Sequence, residues 1–378
     1  MPTPSAGVAA GLDLLLADVR ELVEVESPSS DLEAVAASAE AVARLGERVL
    51  GVSPERIPID GVVHLRWRFG PGGTRVLLLG HHDTVWPTGT LAVHPCDVAD
   101  GVLRGPGCFD MKAGLVMAFH AVATLADRDG VTILVTGDEE IGSPTSRALI
   151  ESEATGAAAA LVLEASADGG ALKTARKGTS LYEIEVVGRG AHAGLEPEKG
   201  VNATLELAHQ VHRVAALADS DAGTTVTPTA MTAGTTTNTV PAAGRFAVDV
   251  RAWSQAELER VDAALRALAP VLPDALVVVH GGINRPPLEE SSSRHLFARA
   301  SALASRMGLP PVTGAAVGGA SDGNFAAGVG VATLDGLGAV GGGAHAADEH
   351  VLVDRLLDRT ALLGALLTDV LDGVPDDD

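Results

Sequence analysis

Seven residues of the types used by divalent metals and by hydrolytic chemistry fall in short glycine-rich islands: His81, Asp83, Asp110, Glu139, Glu140, Glu164 and His345. The islands read GHHDTV (80–85), GPGCFDMKAG (105–114), TGDEEIGS (136–143), LVLEAS (161–166) and GGGAHAADEHV (341–351). Imidazole nitrogen and carboxylate oxygen are zinc donors, and a two-metal site needs about four terminal ligands plus a bridging carboxylate. The set is large enough for two metals.

Taken singly, each island has an ordinary explanation. His81 and Asp83 are one residue apart at the end of an expected strand, so both face one way, and Asp83 can orient the His81 ring or lie beneath the metals; His82 should face away. An HHD triplet alone reads as a polar loop. Asp110 stands where a loop enters a helix and could be an N-cap, yet a two-metal site also needs one carboxylate reaching both ions. Glu139 and Glu140 could form a solvated acidic turn with Asp138; alternatively, adjacent side chains diverge, so that one binds metal and the other acts as general base. Glu164 emerges from an apolar strand end and needs a partner, either a metal or a cationic side chain. His345, in a turn of small residues, is preferred over His350, which directly precedes the start of a regular element.

The elements that must position these groups are also readable. Leu12, Leu15, Leu16, Val19, Leu22 and Val23 mark an amphipathic helix ending at Ser27-Pro28, and Ser30 with Glu33 resembles a capping box for a second helix to about Val49. Apolar runs at 76–79, 131–135 and 157–163 suit strands buried on both faces, with crossovers such as 112–126 helical. Ligands collect beyond the carboxyl ends of such strands, which is where the His, Asp and Glu islands fall. The fold class is α/β with a mostly parallel central sheet. From about Arg176 alternation takes over: strands over 181–187, 245–253 and 275–279, with helices over 203–217 and 255–268, describe an inserted α+β unit. Arg285-Pro-Pro-Leu288 marks the return. The expected domains are 1–175 with 286–378, and 176–285 between them. A Leu- and Ala-rich helix over 355–371 precedes an acidic PDDD end that should fray.

The bulk composition narrows the partners. Forty-nine acidic against 27 basic groups give a net charge of −22, which repels phosphate backbones and anionic membranes, so neither nucleic acid nor a membrane is an expected partner. Cys96 and Cys108 are too few for a disulfide framework, and no cationic n-region precedes an apolar stretch; a cytoplasmic location is expected. Gly336-Leu-Gly338-Ala-Val-Gly341 matches GxGxxG, but more glycines and His345 follow where a dinucleotide site requires a helix.

Together and in this order, the five islands resemble the di-zinc amidohydrolase and metallopeptidase family of glutamate carboxypeptidase (carboxypeptidase G type), acetylornithine deacetylase, succinyl-diaminopimelate desuccinylase and peptidase T. The likeness spans about residues 10 to 370. It implies a zinc-exopeptidase-like catalytic domain with an inserted α+β lid and dimerisation domain. His81 and Glu164 would hold one zinc, Glu140 and His345 the other, and Asp110 would bridge them; Glu139 would be the general base and Asp83 would orient His81. The family's Asp110-Met111 counterpart is often cis. GRGAHAG (188–194) resembles the loop whose histidine, here His192, reaches a neighbouring subunit's site in a homodimer. Asn238, Arg251 and Arg285 resemble residues that bind the substrate carboxylate; otherwise Arg251 is an exposed cross-strand charge and Arg285 a hinge ion pair. Lys177 in TARKG fits the family without selecting a substrate.

The resemblance implies hydrolysis of a small peptide, or of an N-acyl amino acid, next to a free carboxylate. HHDTVWP, Glu164 and GGASDGNFAA (318–327) lean toward the glutamate carboxypeptidase-like branch. An N-acyl amino acid deacylase with the same centre is the alternative, and a silent metal- or ligand-binding protein is a third reading. Cobalt or manganese could replace zinc in such N/O sites.

Overall fold

In the computed structural model, which describes residues 6–373, the chain divides into two compact units: Met1–Ala175 with Glu290–Val317 and Ser321–Asp378, and Arg176–Glu289 with Gly318–Ala320. The PDDD end lies outside the described residues.

The first unit is built on a six-stranded sheet in the order Glu55–Ile59, Val62–Arg68, Val131–Thr136, Val76–His81, Ala159–Val162, Thr333–Leu334. The last four strands run parallel and the first two antiparallel. Every residue of Val76–His81, Val131–Thr136 and Ala159–Val162 is buried, as expected for strands covered on both faces. The alternation of side chains divides them between two cores. Leu78, Ile133 and Leu161 join Leu15, Val116, Phe119, Leu363 and Leu367 on one face. Leu77, Leu79 and Leu134 meet Ile150, Ala154 and Phe325 on the other.

The first helix runs Ala6–Val23 and the second Leu32–Leu50. Ser30 is not its cap. Asp31 takes that place in an extended conformation, its carboxylate accepting from the Glu33 and Ala34 amides at 3.1 Å, and the formal charge adds favourable interaction with the positive helix end. The expected helix over 112–126 is shorter, Ala113–Ala123. Its Gly114 abuts the Leu163 carbonyl, so a Cβ there would clash with the strand end that leads into Glu164.

The second unit is a four-stranded antiparallel sheet in the order Thr225–Ala233, Ala243–Ala252, Gly178–Val187, Leu276–Arg285. Helices Ala203–Ala215 and Gln255–Arg266 cover one face through Leu207, Val214, Leu258 and Val261, which pack on Tyr182, Ile184, Phe246 and Val248. Strand Thr225–Ala233 escapes a reading by pattern because it is a Thr-rich edge strand, mostly exposed, with a register shift between Pro228 and Met231.

Candidate metal centre

Five side chains converge in the first unit. His81 closes the central strand Val76–His81, and Glu164 follows the neighbouring strand Ala159–Val162, so parallel pairing sets them side by side. The His81 Nε2 lies 3.4 Å from Asp110 Oδ1 and 3.4 Å from Glu164 Oε1. His345 Nε2 lies 3.3 Å from Asp110 Oδ2 and 3.2 Å from Glu140 Oε2. The result is two triads, His81–Asp110–Glu164 and Asp110–Glu140–His345, with all donor atoms of a triad within 4.8 Å of one another. Asp110 belongs to both. His350, the competing histidine, belongs to neither; its Nδ1 faces the Asp348 carbonyl.

These separations fit metal better than direct hydrogen bonding. His81 Nε2 and Glu140 Oε1 are buried without a hydrogen-bond partner. Donors about 2.0–2.1 Å from a tetrahedral zinc stand roughly 3.4 Å apart, close to the nitrogen–oxygen distances within each triad. The electrostatics agree. Asp110 and Glu140 beside His345 push its pKa up to about 10. Burial alone would depress His81, but Asp110, Asp83 and Glu164 outweigh it and hold the imidazole well above its ordinary range. Burial raises Glu140. Three carboxylates around two imidazoles make a pocket of negative potential that divalent cations would neutralise.

The surroundings fix these side chains. His81 Nδ1 is 3.0 Å from the Asp83 backbone carbonyl, closer than the 3.4 Å to the Asp83 carboxylate. Asp83 therefore braces the ring through its main chain. Its carboxylate instead accepts the Glu139 and Glu140 amides, both at 3.2 Å, and the Ser29 hydroxyl at 2.6 Å. That pins the short turn Glu139–Ile141. Glu140 faces the triad, while Glu139, only 7% exposed, is in neither. Asp138 is fully buried and accepts from Thr145 and Ser146, so the turn is not a solvated acidic loop. His82 faces away, fully buried, Nε2 at 3.2 Å from the Val63 carbonyl, and burial lowers it to about 4. His345 sits at φ +63, a left-handed conformation that costs a non-glycine residue about 1 kcal/mol or more and is characteristic of functional sites.

Glu349 is the residue that sequence reasoning missed. It is 3% exposed; Oε1 accepts the Phe109 and Asp110 amides at 2.9 and 3.0 Å, and Oε2 accepts the Gly107 amide and Trp86 Nε1 at 2.9 and 2.6 Å. Asp110 thus is no N-cap: its own amide is held by Glu349 within the turn Cys108–Lys112, and the Asp110–Met111 peptide is cis. The only signal was its place four residues after His345 in the same island. Glu349→Gln turns an NH₂ toward two N–H donors, and we expect about 2–4 kcal/mol of destabilisation with metal affinity at least about tenfold weaker. Thermal unfolding and metal titration measure both; an unchanged metal affinity contradicts the role.

The glycines of 336–341 serve close approach. The Gly338 amide donates to the Glu164 carbonyl at 2.9 Å and its Cα abuts the Leu163 carbonyl, with no helix following.

The remaining candidates lie in the second unit. His192 pairs with Thr239 across a two-stranded ladder, and the Ala193 amide donates to the Asn238 carbonyl, which makes His192 and Asn238 neighbours. The Gly194 and Leu195 amides donate to His192 Nδ1 at 3.1 Å, so the proton resides on the exposed Nε2. Arg251 and Arg285 both stand opposite Thr179, in one row across the sheet. Arg251 forks onto Asp249 at 2.9–3.2 Å, and Arg285 is 8% exposed. Lys177 stacks 5.2 Å over Trp253 and donates to the Gly223 carbonyl.

Two triads that share Asp110, beside the carboxyl ends of parallel strands, offer donors for two divalent cations, as a metal-dependent hydrolase requires. The chain belongs to peptidase family M20/M25/M40, whose sequence pattern matches residues 77–369. It is therefore a metallopeptidase or amidohydrolase of that family. It is 30% identical over 370 residues to carboxypeptidase G2 of Pseudomonas sp. (strain RS-16), covering 93% of this chain and 88% of the relative. It is 28% identical over 327 residues to succinyl-diaminopimelate desuccinylase of Roseobacter denitrificans, covering 79% and 81%. The fold matches that of Sso-CP2, an M20 family metallo-carboxypeptidase from Sulfolobus solfataricus, with a TM-score of 0.73 at 17% identity over 93% of this chain and 98% of that one. Among the described residues no helix is long and apolar enough to cross a membrane.

Proposed function

We propose that this enzyme hydrolyses the amide or peptide bond next to a carboxylate-bearing amino acid, and that His81, Glu164, Glu140, His345 and Asp110, the last common to both triads, would hold two zinc ions. The observation that carries the reading is the pair of triads sharing Asp110, with the buried Glu139 next in sequence to a ligand. Cobalt or manganese suits the same donors. Such a metal pair supplies Lewis acidity toward a carbonyl and lowers the pKa of water toward neutrality.

Glu139 takes the proton of the attacking water and returns it to the departing nitrogen. Its backbone, tied to Asp83, fixes the reach of its carboxylate. His192 presents an Nε2–H that can donate to the developing oxyanion in the neighbouring subunit's site. Asn238, Arg251 and Arg285 bind the terminal carboxylate, for which planar guanidinium forks are suited; Arg251 must exchange Asp249 for the substrate.

A homodimer through the second unit is part of this reading. Leu181, Val187 and Leu276 lie exposed on its sheet, the last two directly paired. Unpaired Cys96 and Cys108 support a reducing, cytoplasmic setting. N-acyl amino acid deacylation is the second reading, favoured by the similarity to the desuccinylase. The test is release of free amino acid from dipeptides and N-acyl amino acids ending in Glu, Gln, Phe, Leu or Arg, with zinc and with chelator. Chelator-sensitive release is expected, and the ranking of acyl groups separates the two readings. Absence of release by protein holding both metals overturns the proposal.

A further inference from the structure

The segment GGASDGNFAA (318–327) has no part in the roles above, yet it carries a carboxylate with an unexpected task. Asp322 stands at the N-cap position of the short helix Gly323–Gly328, where an aspartate ordinarily accepts the first helical amides. Its side chain makes no such cap. Instead Oδ2 accepts the Thr136 hydroxyl at 2.8 Å, and Oδ1 accepts the Ser143 hydroxyl. All three residues are buried.

The two hydroxyls bracket the turn Glu139–Ile141. Thr136 ends the strand that leads into it and pairs with His81 in the parallel ladder. Ser143 follows the turn and closes it by donating its amide to the Asp138 carbonyl at 2.9 Å. Its φ of +58 is left-handed, a conformation that disfavours any residue with a Cβ. Glycine would adopt that backbone more readily; what serine adds is the hydroxyl.

The base from which Asp322 reaches is itself fixed. Asn324 Oδ1 accepts the Ser321 amide at 2.9 Å, the Ser321 hydroxyl donates to Asp335 at 2.6 Å, and Phe325 belongs to the core of Leu79 and Leu134. Asp83 holds the Glu139 and Glu140 amides inside the turn, whereas Asp322 holds the two ends.

We propose that Asp322 is a positioning residue: by clamping Thr136 and Ser143 it sets where Glu139 and Glu140 stand relative to His81, and through Glu140 it tunes the second triad. The catalytic part rests on the hydrolase reading, so the first readout is metal binding alone. Zn²⁺ is titrated by calorimetry into chelator-stripped wild type, Asp322→Ala, Asp322→Asn and Thr136→Val. On each zinc-loaded protein kcat and KM are then measured.

Asp322→Ala should weaken one of the two ions by about 10–100-fold and leave the other near its wild-type affinity. Added to His345→Ala, it should not change the affinity of the ion that remains. The same variant should lower kcat with KM little changed, since the residues assigned to the substrate carboxylate lie elsewhere. Asparagine can accept from one hydroxyl and donate to the other, so Asp322→Asn should recover most of both losses. Thr136→Val, nearly isosteric, removes one arm of the clamp with Asp322 in place and decides the matter if Asp322→Ala does not fold; it should show the same selective loss. A merely structural role would lower the unfolding temperature while both affinities and kcat stayed as in wild type. That result, or equal weakening of both ions, overturns the proposal. Wild type that binds two ions and hydrolyses nothing, with the selective loss intact in the variants, removes the hydrolase reading and leaves the positioning role.

Discussion

Glu139→Gln is expected to leave metal content and fold unchanged while kcat falls by about 10²–10⁴, the usual contribution of a positioned acid–base group. The substitution is nearly isosteric and removes only the ability to accept and return a proton. The carboxylate is in neither triad, and the Glu139 amide reaches Asp83 through its backbone, which the change leaves intact. KM should move little, because the group acts on the proton and not on the substrate carboxylate. Single-turnover kinetics beside metal analysis measures both quantities. A kcat near that of wild type would reassign the base, and a loss of metal would mean that Glu139 is itself a ligand.

Asp110→Ala is the second large effect. Asp110 is common to both triads, so its removal leaves each with two donors, fewer than the three protein ligands usual for a catalytic zinc. Both ions should dissociate on dialysis, and turnover should fall by at least about 10³. The fold should survive, since Glu349 holds the Asp110 amide and not its side chain. His345→Ala is expected to lose one ion selectively, while His350→Ala keeps both. Retention of two tight ions by Asp110→Ala contradicts the bridging role.

These contrasts show where the sequence was legible. The buried parallel strands announce themselves as apolar runs between glycines, and polar residues directly after such runs can only lie at the sheet's carboxyl edge, which is why His81 and Glu164 could be picked out. The convergence of Asp110 and His345 on them could not be read from local pattern, because the pairs Asp110–His345 and His81–Asp110 are joined by tertiary packing alone. Glu349 was hidden for a different reason. A buried carboxylate that accepts four N–H groups has no periodicity of its own, and in sequence it is one acid among several after a histidine. Asp83 was legible as a neighbour of His81 but its main task, holding the Glu139–Glu140 turn, needs the strand Val131–Thr136 to lie beside Val76–His81. Ser30 and Asp31 show the limit of capping motifs: with two acceptors in tandem, the backbone conformation decides which one caps.

The most direct measurement is zinc restoration of chelator-dialysed protein, with amide hydrolysis and bound metal followed together. No hydrolysis is expected without metal, and activity should return as two ions bind per chain, in a titration that Asp110→Ala abolishes. Full hydrolysis by metal-free protein, or activity complete with the two triads demonstrably empty, would contradict the two-metal reading.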